Sequence, residues 1–154
     1  MRSPSLSPRQ RALVEAVPRG ACSVADVGAG DGQVALALAL AGARVIAVER
    51  TPGALDRLRA AAAGRFEVRA GDGLAALRPG EVEGGVIAGL GGLSIAGILQ
   101  AAPGQLDALR WLVLGPHSEN HRLETWLAGA GLPPEEVQFV TERRRLYQII
   151  RVAR

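Results

Sequence analysis

The chain has little cysteine, no lysine and few aromatic residues. Its 154 residues include one cysteine, Cys22, which excludes an internal disulfide. We expect Cys22 to be a small buried side chain in a reducing cytoplasm. No uncharged apolar stretch reaches the roughly 18 residues of a membrane-spanning helix. The first ten residues are polar and interrupted by proline, unlike a signal peptide. These absences predict a cytoplasmic globular domain.

The positive charge is carried by arginine alone. All 18 basic residues are arginine, against 15 acidic residues, and the net charge is +3. Each guanidinium is a planar fork suited to bidentate contact with phosphate. A net charge of this size does not by itself indicate nucleic-acid binding. The distribution is more informative, because the two ends of the chain are basic: Arg2, Arg9, Arg11 and Arg19, and then Arg143, Arg144, Arg145, Arg151 and Arg154.

Strand-like apolar segments alternate with helical segments along the chain. Helix-start signals of the cap-plus-proline type occur at Ser7-Pro8 and Thr51-Pro52, and Ser118 is a further candidate cap. The predicted strands are 24–27, 44–49, 66–70, 85–88 and 111–114, and the predicted helices are 7–17, 33–41, 51–63, 93–101 and 121–130. Residues 137–141 and 146–152 predict a terminal hairpin. The pattern predicts a single α/β domain over residues 1–154, with a mostly parallel, doubly wound sheet that ends in an antiparallel hairpin.

A glycine-rich segment, Asp-Val-Gly-Ala-Gly-Asp-Gly at residues 26–32, lies between the first predicted strand and the next helix. We call it the glycine turn. The order of strand, glycine turn and helix is typical of a nucleotide-binding βαβ unit. Asp26 and Asp31 disfavour a pyrophosphate and favour a cationic ligand. The turn therefore points to S-adenosylmethionine, whose sulfonium and amino groups are positive.

Acidic residues stand at the ends of three predicted strands, where ligands bind in such sheets. Glu49 follows Gly30 by 19 residues, close to the spacing of about 20 expected for an acid that accepts the ribose hydroxyls. Asp72 is a candidate for the adenine amino group, and Asp26 or Asp31 for the methionine amino group. The alternative is that these acids are solvated loop residues. The predicted cofactor-binding residues are Asp26, Gly28, Gly30, Asp31, Glu49, Arg50, Gly71, Asp72, Gly73 and Ala88.

Four groups of residues carry a resemblance to a known family. They are Leu6-Ser7-Pro8-Arg9 with residues 17–20 and 24–28, Gly71-Asp72-Gly73-Leu74, Ala88-Gly89-Leu90-Gly91-Gly92 with Ile98-Leu99, and Leu123, Trp126 and Leu127 with Tyr147-Gln148-Ile149-Ile150. Over nearly the whole chain they resemble the bacterial methyltransferases that modify N1 of adenine 22 in tRNA. The resemblance implies a Rossmann-like class I methyltransferase fold, S-adenosylmethionine as cofactor and tRNA as partner.

This chain also departs from the family's motifs at several positions. The family has Ser-Asp-His-Ala after its first glycine, where this chain has residues 29–32, with Asp31 as the matching acid. It has Gln-Pro-Asn after the fifth strand, where this chain has Gly115-Pro116-His117. The family carries a C-terminal helical extension implicated in gripping tRNA, while this sequence ends at Arg154. We expect a homodimer or a partner protein in place of that extension. Methyl transfer to another RNA or a small molecule stays open, as does a non-catalytic domain that binds the cofactor or a partner.

The resemblance implies an in-line attack of adenine N1 on the donor methyl group. Asp31 is the candidate to stabilise the positive charge that the base gains, and Gly89 and Gly91 would let the base lie close to the backbone. These three are the predicted catalytic residues. For residues 143–145, a solvated hairpin turn and RNA contact are both open. The predicted RNA-contacting residues are Arg9, Leu90, Gly92, His117, Arg143 and Arg144.

Two further side-chain patterns have structural explanations. His117 and His121 are four residues apart, but no additional ligand is evident, so we predict capping or packing and no metal site. Trp111 and Trp126 follow strand and helix patterns and are predicted to lie in the core.

Overall fold

A computed structural model describes residues 4–154; Arg2, counted above among the basic residues, lies outside that range. The strands are β1 Ser23–Val27, β2 Arg44–Glu49, β3 Glu67–Ala70, β4 Gly84–Ala88, β5 Trp111–Gly115, β6 Glu136–Glu142 and β7 Arg145–Ala153. The helices are α1 Pro8–Ala16, α2 Gln33–Leu40, α3 Pro52–Ala62, α4 Gly92–Gln100, α5 Pro103–Ala108 and α6 Asn120–Gly129, with a short 3₁₀ helix at Gly73–Ala76. Within the described residues, none of the helices has the length and apolarity needed to cross a bilayer.

The seven strands form one sheet in the order β3-β2-β1-β4-β5-β7-β6. The first five strands are parallel, and β7 runs antiparallel to both β5 and β6. The central strands are buried on both faces, which is why they read as continuous apolar runs instead of alternating patterns. The predicted α/β sheet with a terminal antiparallel hairpin is confirmed.

Two apolar layers lie on opposite faces of the sheet. On one face, α1, α2 and α3 bury Leu13, Ala35 and Leu58 against it. On the other face, the buried residues from the helices include Leu99 of α4 and Leu123 of α6. Each strand alternates between the layers, since successive side chains point to opposite faces. The helices therefore sandwich the sheet and leave the ends of its strands for the site.

The chain changes direction in the middle of the sheet. It proceeds outward from β1 through β2 to β3, and then returns to place β4 on the other side of β1. Loops at the carboxyl ends of β1 and β4 consequently leave in opposite directions. Such a switch point opens a crevice, where α/β sheets bind their ligands.

Two local expectations were wrong, and one helix was not predicted. Cys22 is exposed, because it precedes β1 at the amino-terminal edge of the sheet. Ser118 does not cap α6; the N-cap is Glu119, with a left-handed φ of 54°. Helix α5 was missed because it is short and begins at Pro103 without a capping side chain. By contrast, Ser7 caps α1 as predicted and forms a capping box with Gln10.

The remaining expectations concern α3 and the two tryptophans. Thr51 is the N-cap of α3 by position, but its side chain makes no capping hydrogen bond to the described chain.

Trp111 is buried in the core and Trp126 packs against it, as predicted. Trp111 packs so closely on β4 that a Cβ at Gly84 would lie 2.0 Å from its ring. The indole therefore fills the space that glycine leaves.

Candidate cofactor and acceptor site

A cavity of about 840 Å³ opens at the carboxyl ends of β1 to β4. We call it the strand-end cavity. Its size is in the range of cavities that hold a nucleoside-sized ligand. The residues predicted to bind a cofactor all line it: Asp26, Gly28, Gly30, Asp31, Glu49, Arg50, Gly71, Asp72, Gly73 and Ala88. Four carboxyl groups from the ends of three strands and the turns that follow them thus meet around one space, as the sequence spacing suggested.

The glycine turn is held open by backbone conformations that glycine adopts easily. Gly28, Gly30 and Gly32 have φ values of 73°, 58° and 78°. The N–H of Gly28 donates to the carbonyl of Val48 at 3.0 Å, and the N–H of Gly30 donates to Oε1 of Glu49 at 2.8 Å. These bonds tie the turn to the end of β2, so the two elements present one continuous wall to the cavity.

Asp26 is a buried carboxyl group in that wall. Its residue is 4% exposed, and its Oδ2 atom has no hydrogen-bond partner among residues 4–154. Burial, and then the charges of Glu49 and Asp31, raise the pKa of Asp26 to about 7, while a hydrogen bond with the backbone of Ala35 acts in the opposite direction. A buried, unpaired carboxyl oxygen facing a cavity is suited to bind a cationic group.

Asp31 has a structural contact in addition to its place in the cavity. Its Oδ1 atom accepts the backbone N–H of Gln33 at 3.0 Å, in the first turn of α2. Gln10 of α1 approaches the same oxygen with its Nε2 atom at 3.4 Å. Asp31 therefore joins α1 to the glycine turn. Its side chain is exposed, so the negative charge is open to a ligand as well.

The loop after β3 forms another part of the cavity wall that contains the predicted cofactor-binding residues. Gly71 donates its N–H to the carbonyl of Glu49 at 3.0 Å, and Asp72 lies 3.9 Å from Nε of Arg50 in an exposed ion pair. Gly71 and Gly73 are required for packing, because a Cβ would lie 2.4 Å from Ala76 or 2.9 Å from the Ile98 side chain. Close packing thus brings Asp72 to the rim of the strand-end cavity.

The segment that joins β4 to α4 (residues 88–92, the β4 loop) lines the cavity at one end and packs on a neighbouring loop at the other. Gly89 lines the cavity and no described atom lies within 4 Å of a Cβ built there, so its surface is open. Gly91 and Gly92 instead pack on the loop before α6: a Cβ at Gly92 would lie 2.1 Å from the carbonyl oxygen of Glu119. His117 donates its N–H to the carbonyl of Leu90 at 3.0 Å and so fixes the β4 loop.

Only some of the predicted RNA-contacting residues lie at the strand-end cavity. Arg9 and Leu90 line the strand-end cavity. Gly92, His117, Arg143 and Arg144 are not among the described residues that line it, and neither is Gly91, which was predicted to be catalytic. Arg143 and Arg144 form the exposed turn between β6 and β7.

Some cavity residues were missed from the sequence. Gln10 and Leu13 of α1, and Ser94, Gly97 and Ile98 of α4, also line the strand-end cavity. The Ser-x-x-Gln pattern at residues 7–10 is a signal that could have identified Gln10, but only as part of a helix start. The other residues lie on helices whose placement over the cavity depends on tertiary packing. Among residues 4–154 there is no cluster of three or more potential metal ligands.

The comparisons with known proteins agree on one family. Residues 6–150 match the family model of the methyltransferase domain. Over 62 residues the chain is 39% identical to the tRNA (adenine(22)-N(1))-methyltransferase of Bacillus subtilis, a match that covers 40% of this chain and 26% of that protein. The matched segment is thus about a quarter of the curated relative.

Solved structures cover more of the chain. The crystal structure of the B. subtilis M1A22 tRNA methyltransferase is similar with a TM-score of 0.87 and 27% identity, over 97% of this chain and 67% of that one. A Streptococcus pneumoniae protein in complex with S-adenosyl-L-methionine gives a TM-score of 0.91 and 27% identity, over 97% of this chain and 73% of that one.

Proposed function

The chain belongs to the methyltransferase domain family, and on that premise we propose that it transfers the methyl group of S-adenosylmethionine to N1 of an adenine in tRNA. The observation that carries the proposal is the set of carboxyl groups around the strand-end cavity, above all the buried and unpaired Oδ2 of Asp26. The curated and structural relatives that act on adenine 22 of tRNA support the choice of acceptor.

The residues of the cavity fit S-adenosylmethionine, which supplies an electrophilic methyl group on a sulfonium when bound. Asp26 would hold the cationic amino group, because its free oxygen is buried and otherwise unpaired. Glu49 uses Oε1 for Gly30 and has a second oxygen for the ribose hydroxyls. Asp72, exposed at the rim, would accept from the adenine amino group.

The acceptor base would enter on the side of α1 and the β4 loop. Arg9, Gln10 and Leu13 border the cavity there, and Gly89 leaves an open backbone surface on which a flat base can lie. Neutral adenine N1 carries a free lone pair, so these residues need to position the base instead of removing a proton. The charge of Asp31 would stabilise the positive charge that develops on the base. A base within a helix would first have to be extruded.

Incubation with radiolabelled S-adenosylmethionine and unmodified tRNA transcripts tests the proposal. We expect label in N1-methyladenosine, and its loss when the target adenine is replaced by guanine. Label on another base, or on a small molecule added in place of tRNA, would contradict the proposed acceptor while keeping the methyltransferase activity. No heat change on titration with S-adenosylmethionine would contradict the cofactor site itself.

The proposal also covers the location of the protein and its partners. We propose that the enzyme meets its tRNA substrate in the cytoplasm. The β6–β7 hairpin exposes 61% of Phe139 and 64% of Leu146 on one face, which supports a contact with a second copy or a partner protein. Light scattering should then give a mass above 16.0 kDa for the purified chain or its complex.

A further inference from the structure

We propose that Arg9, Arg145 and Tyr147 form an RNA-binding rim, which holds phosphates of the substrate backbone beside the acceptor side of the strand-end cavity. This inference rests on the proposed function, since it concerns the same RNA. It adds a specific contact surface made by two elements that are distant in sequence. Two of its members, Arg145 and Tyr147, lie on β7, outside the cavity lining.

The guanidinium groups of Arg9 and Arg145 both lie over the ring of Tyr147. The guanidinium carbon of Arg9 lies 4.8 Å from the centre of the Tyr147 ring, and that of Arg145 lies 5.3 Å from it. Arg145 and Tyr147 are two residues apart on β7, so they point to the same face of the sheet. Helix α1 covers that face and brings Arg9 to the ring. A guanidinium group carries five N–H donors, so an arginine held over the ring keeps further donors that can bind phosphate oxygens.

Arg9 has an unused donor at this place. Its Nε atom is buried and has no hydrogen-bond partner within residues 4–154, although Arg9 borders the strand-end cavity. The backbone N–H of Arg9 donates to Oε1 of Glu142 at 3.0 Å, and this bond, as the largest cause, lowers the pKa of Glu142. The carboxylate therefore holds the start of α1 against β6, and the Arg9 guanidinium is directed to the tyrosine ring.

The rim is connected to the acceptor side by two hydrogen bonds. Nη2 of Arg145 donates to the carbonyl of His117 at 3.0 Å, and the N–H of His117 donates to the carbonyl of Leu90 at 3.0 Å. Leu90 follows Gly89, the open position of the cavity. A phosphate held at Arg145 would thus have a fixed position relative to a base lying on Gly89.

The adjoining turn adds positive charge in an unfavourable backbone conformation. Arg143 and Arg144 are exposed and have φ values of 49° and 64°. Two-residue hairpin turns of this kind favour Asn-Gly, because most side chains are strained at positive φ. Two arginines at such positions are costly for folding and point to a function for their charge. With Arg9 and Arg145 they make four guanidinium groups at one edge of the molecule.

The experiment measures binding of a fluorescein-labelled, unmodified tRNA transcript by anisotropy over a range of salt concentrations. The variants are Arg145→Ala, Tyr147→Leu and Tyr147→Phe. The matched control is Arg65→Ala, an exposed arginine before β3, at the opposite end of the strands from the cavity. Thermal unfolding of each variant reports any loss of structure, and titration with S-adenosylmethionine reports the cofactor site.

We expect Arg145→Ala to raise the dissociation constant for tRNA about tenfold, the size of one charge-assisted hydrogen bond. The slope of log affinity against log salt should fall by about 0.7 to 0.9 for each phosphate that the variant no longer binds. Tyr147→Leu should weaken binding in the same sense, and Tyr147→Phe should keep wild-type affinity because it retains the ring. A purely structural role for Tyr147 would leave the salt slope unchanged.

The inference is overturned if Arg145→Ala and Arg65→Ala have the same affinity and salt slope, or if the wild-type protein does not bind the transcript. Its failure is distinguishable from failure of the proposed function. Wild-type protein that binds tRNA through the rim, but places no label on adenine N1, would contradict the proposed reaction and retain the RNA-binding rim.

Discussion

Oε1 of Glu49 accepts the backbone N–H of Gly30 at 2.8 Å, across 19 residues of the chain. This bond joins the end of β2 to the glycine turn and gives the acid a fixed orientation. It also explains why the spacing between the turn and the acid is informative, because one helix and one strand separate two positions that meet at the same edge of the sheet.

Glu49→Gln tests the role of this carboxylate in cofactor binding. The amide oxygen can still accept from Gly30, so the turn should keep its shape, but the charge that favours ribose hydroxyls is lost. We expect an affinity for S-adenosylmethionine about tenfold lower by calorimetry, and a larger loss for Glu49→Ala. Asp56→Asn, on the exposed surface of α3, serves as control. Unchanged affinity in the glutamine variant would contradict the assignment.

The raised pKa of Asp26 predicts pH-dependent binding of the cofactor. A cationic amino group pairs with the ionised carboxylate, and protonation competes with that pairing below a pKa of about 7. The dissociation constant for S-adenosylmethionine should therefore rise up to tenfold per pH unit as the pH falls below 7. Asp26→Asn should bind weakly at every pH in this range. A wild-type affinity that is constant between pH 5.5 and about 8 would argue against Asp26 as the partner of the amino group.

The raised pKa of Asp26 also affects folding stability, and its effect on stability has the opposite pH dependence to its effect on cofactor binding. The folded pKa of Asp26 lies above the ordinary aspartate value of 3.8, so between about pH 4 and 7 the folded state holds a proton that the unfolded state has released. The contribution of Asp26 to the free energy of unfolding should thus decrease as the pH rises, by at most about 1.4 kcal/mol per pH unit. Urea unfolding of wild type and Asp26→Asn at several pH values gives this difference. A difference that does not change with pH contradicts the raised pKa.

Asp31→Asn separates the charge of Asp31 from its contact with α2. The amide oxygen can replace Oδ1 as the acceptor of the Gln33 N–H, so the free energy of unfolding should change little. We expect kcat to fall about tenfold through loss of the charge beside the reacting base. A raised dissociation constant for S-adenosylmethionine with unchanged kcat would assign Asp31 to the donor instead. Asp31→Ala, which also removes the acceptor, should in addition be less stable.

Gly92→Ala and Gly97→Ala are a matched pair on α4. The added methyl group at Gly92 would lie 2.1 Å from the Glu119 carbonyl oxygen, so we expect destabilisation by about 1–3 kcal/mol. At Gly97 nothing beyond the chain neighbours and the backbone of the same helix lies within 4 Å of the new Cβ among the described residues, and alanine should stabilise the helix by about 0.5–1 kcal/mol. Urea unfolding measures both. Equal stabilities would contradict the packing role of Gly92.

The acids that line the cofactor part of the cavity could be predicted because each one lies at or just after the end of a strand that its own residues identify. Residues 45–48 are all apolar and Glu49 follows them directly, and the glycines of the turn require a tight connection. The β4 loop shows the limit of such reasoning. Gly89 and Gly92 are equivalent in sequence pattern, yet Gly89 lines the cavity and Gly92 packs on Glu119. That difference depends on the loop before α6, whose left-handed Glu119 was not predicted.

The sequence by itself determined the α/β sheet, the glycine turn and the acids at the ends of three strands, because periodicity and turn residues act over short stretches of chain. Only the tertiary structure decided which distant side chains meet. It placed Gln10 against Asp31 and the guanidinium of Arg9 over Tyr147, contacts that depend on how α1 packs across the sheet onto the inserted strand β7. Such contacts leave no local pattern, since they arise from the burial of whole faces and not from the residues beside them in sequence.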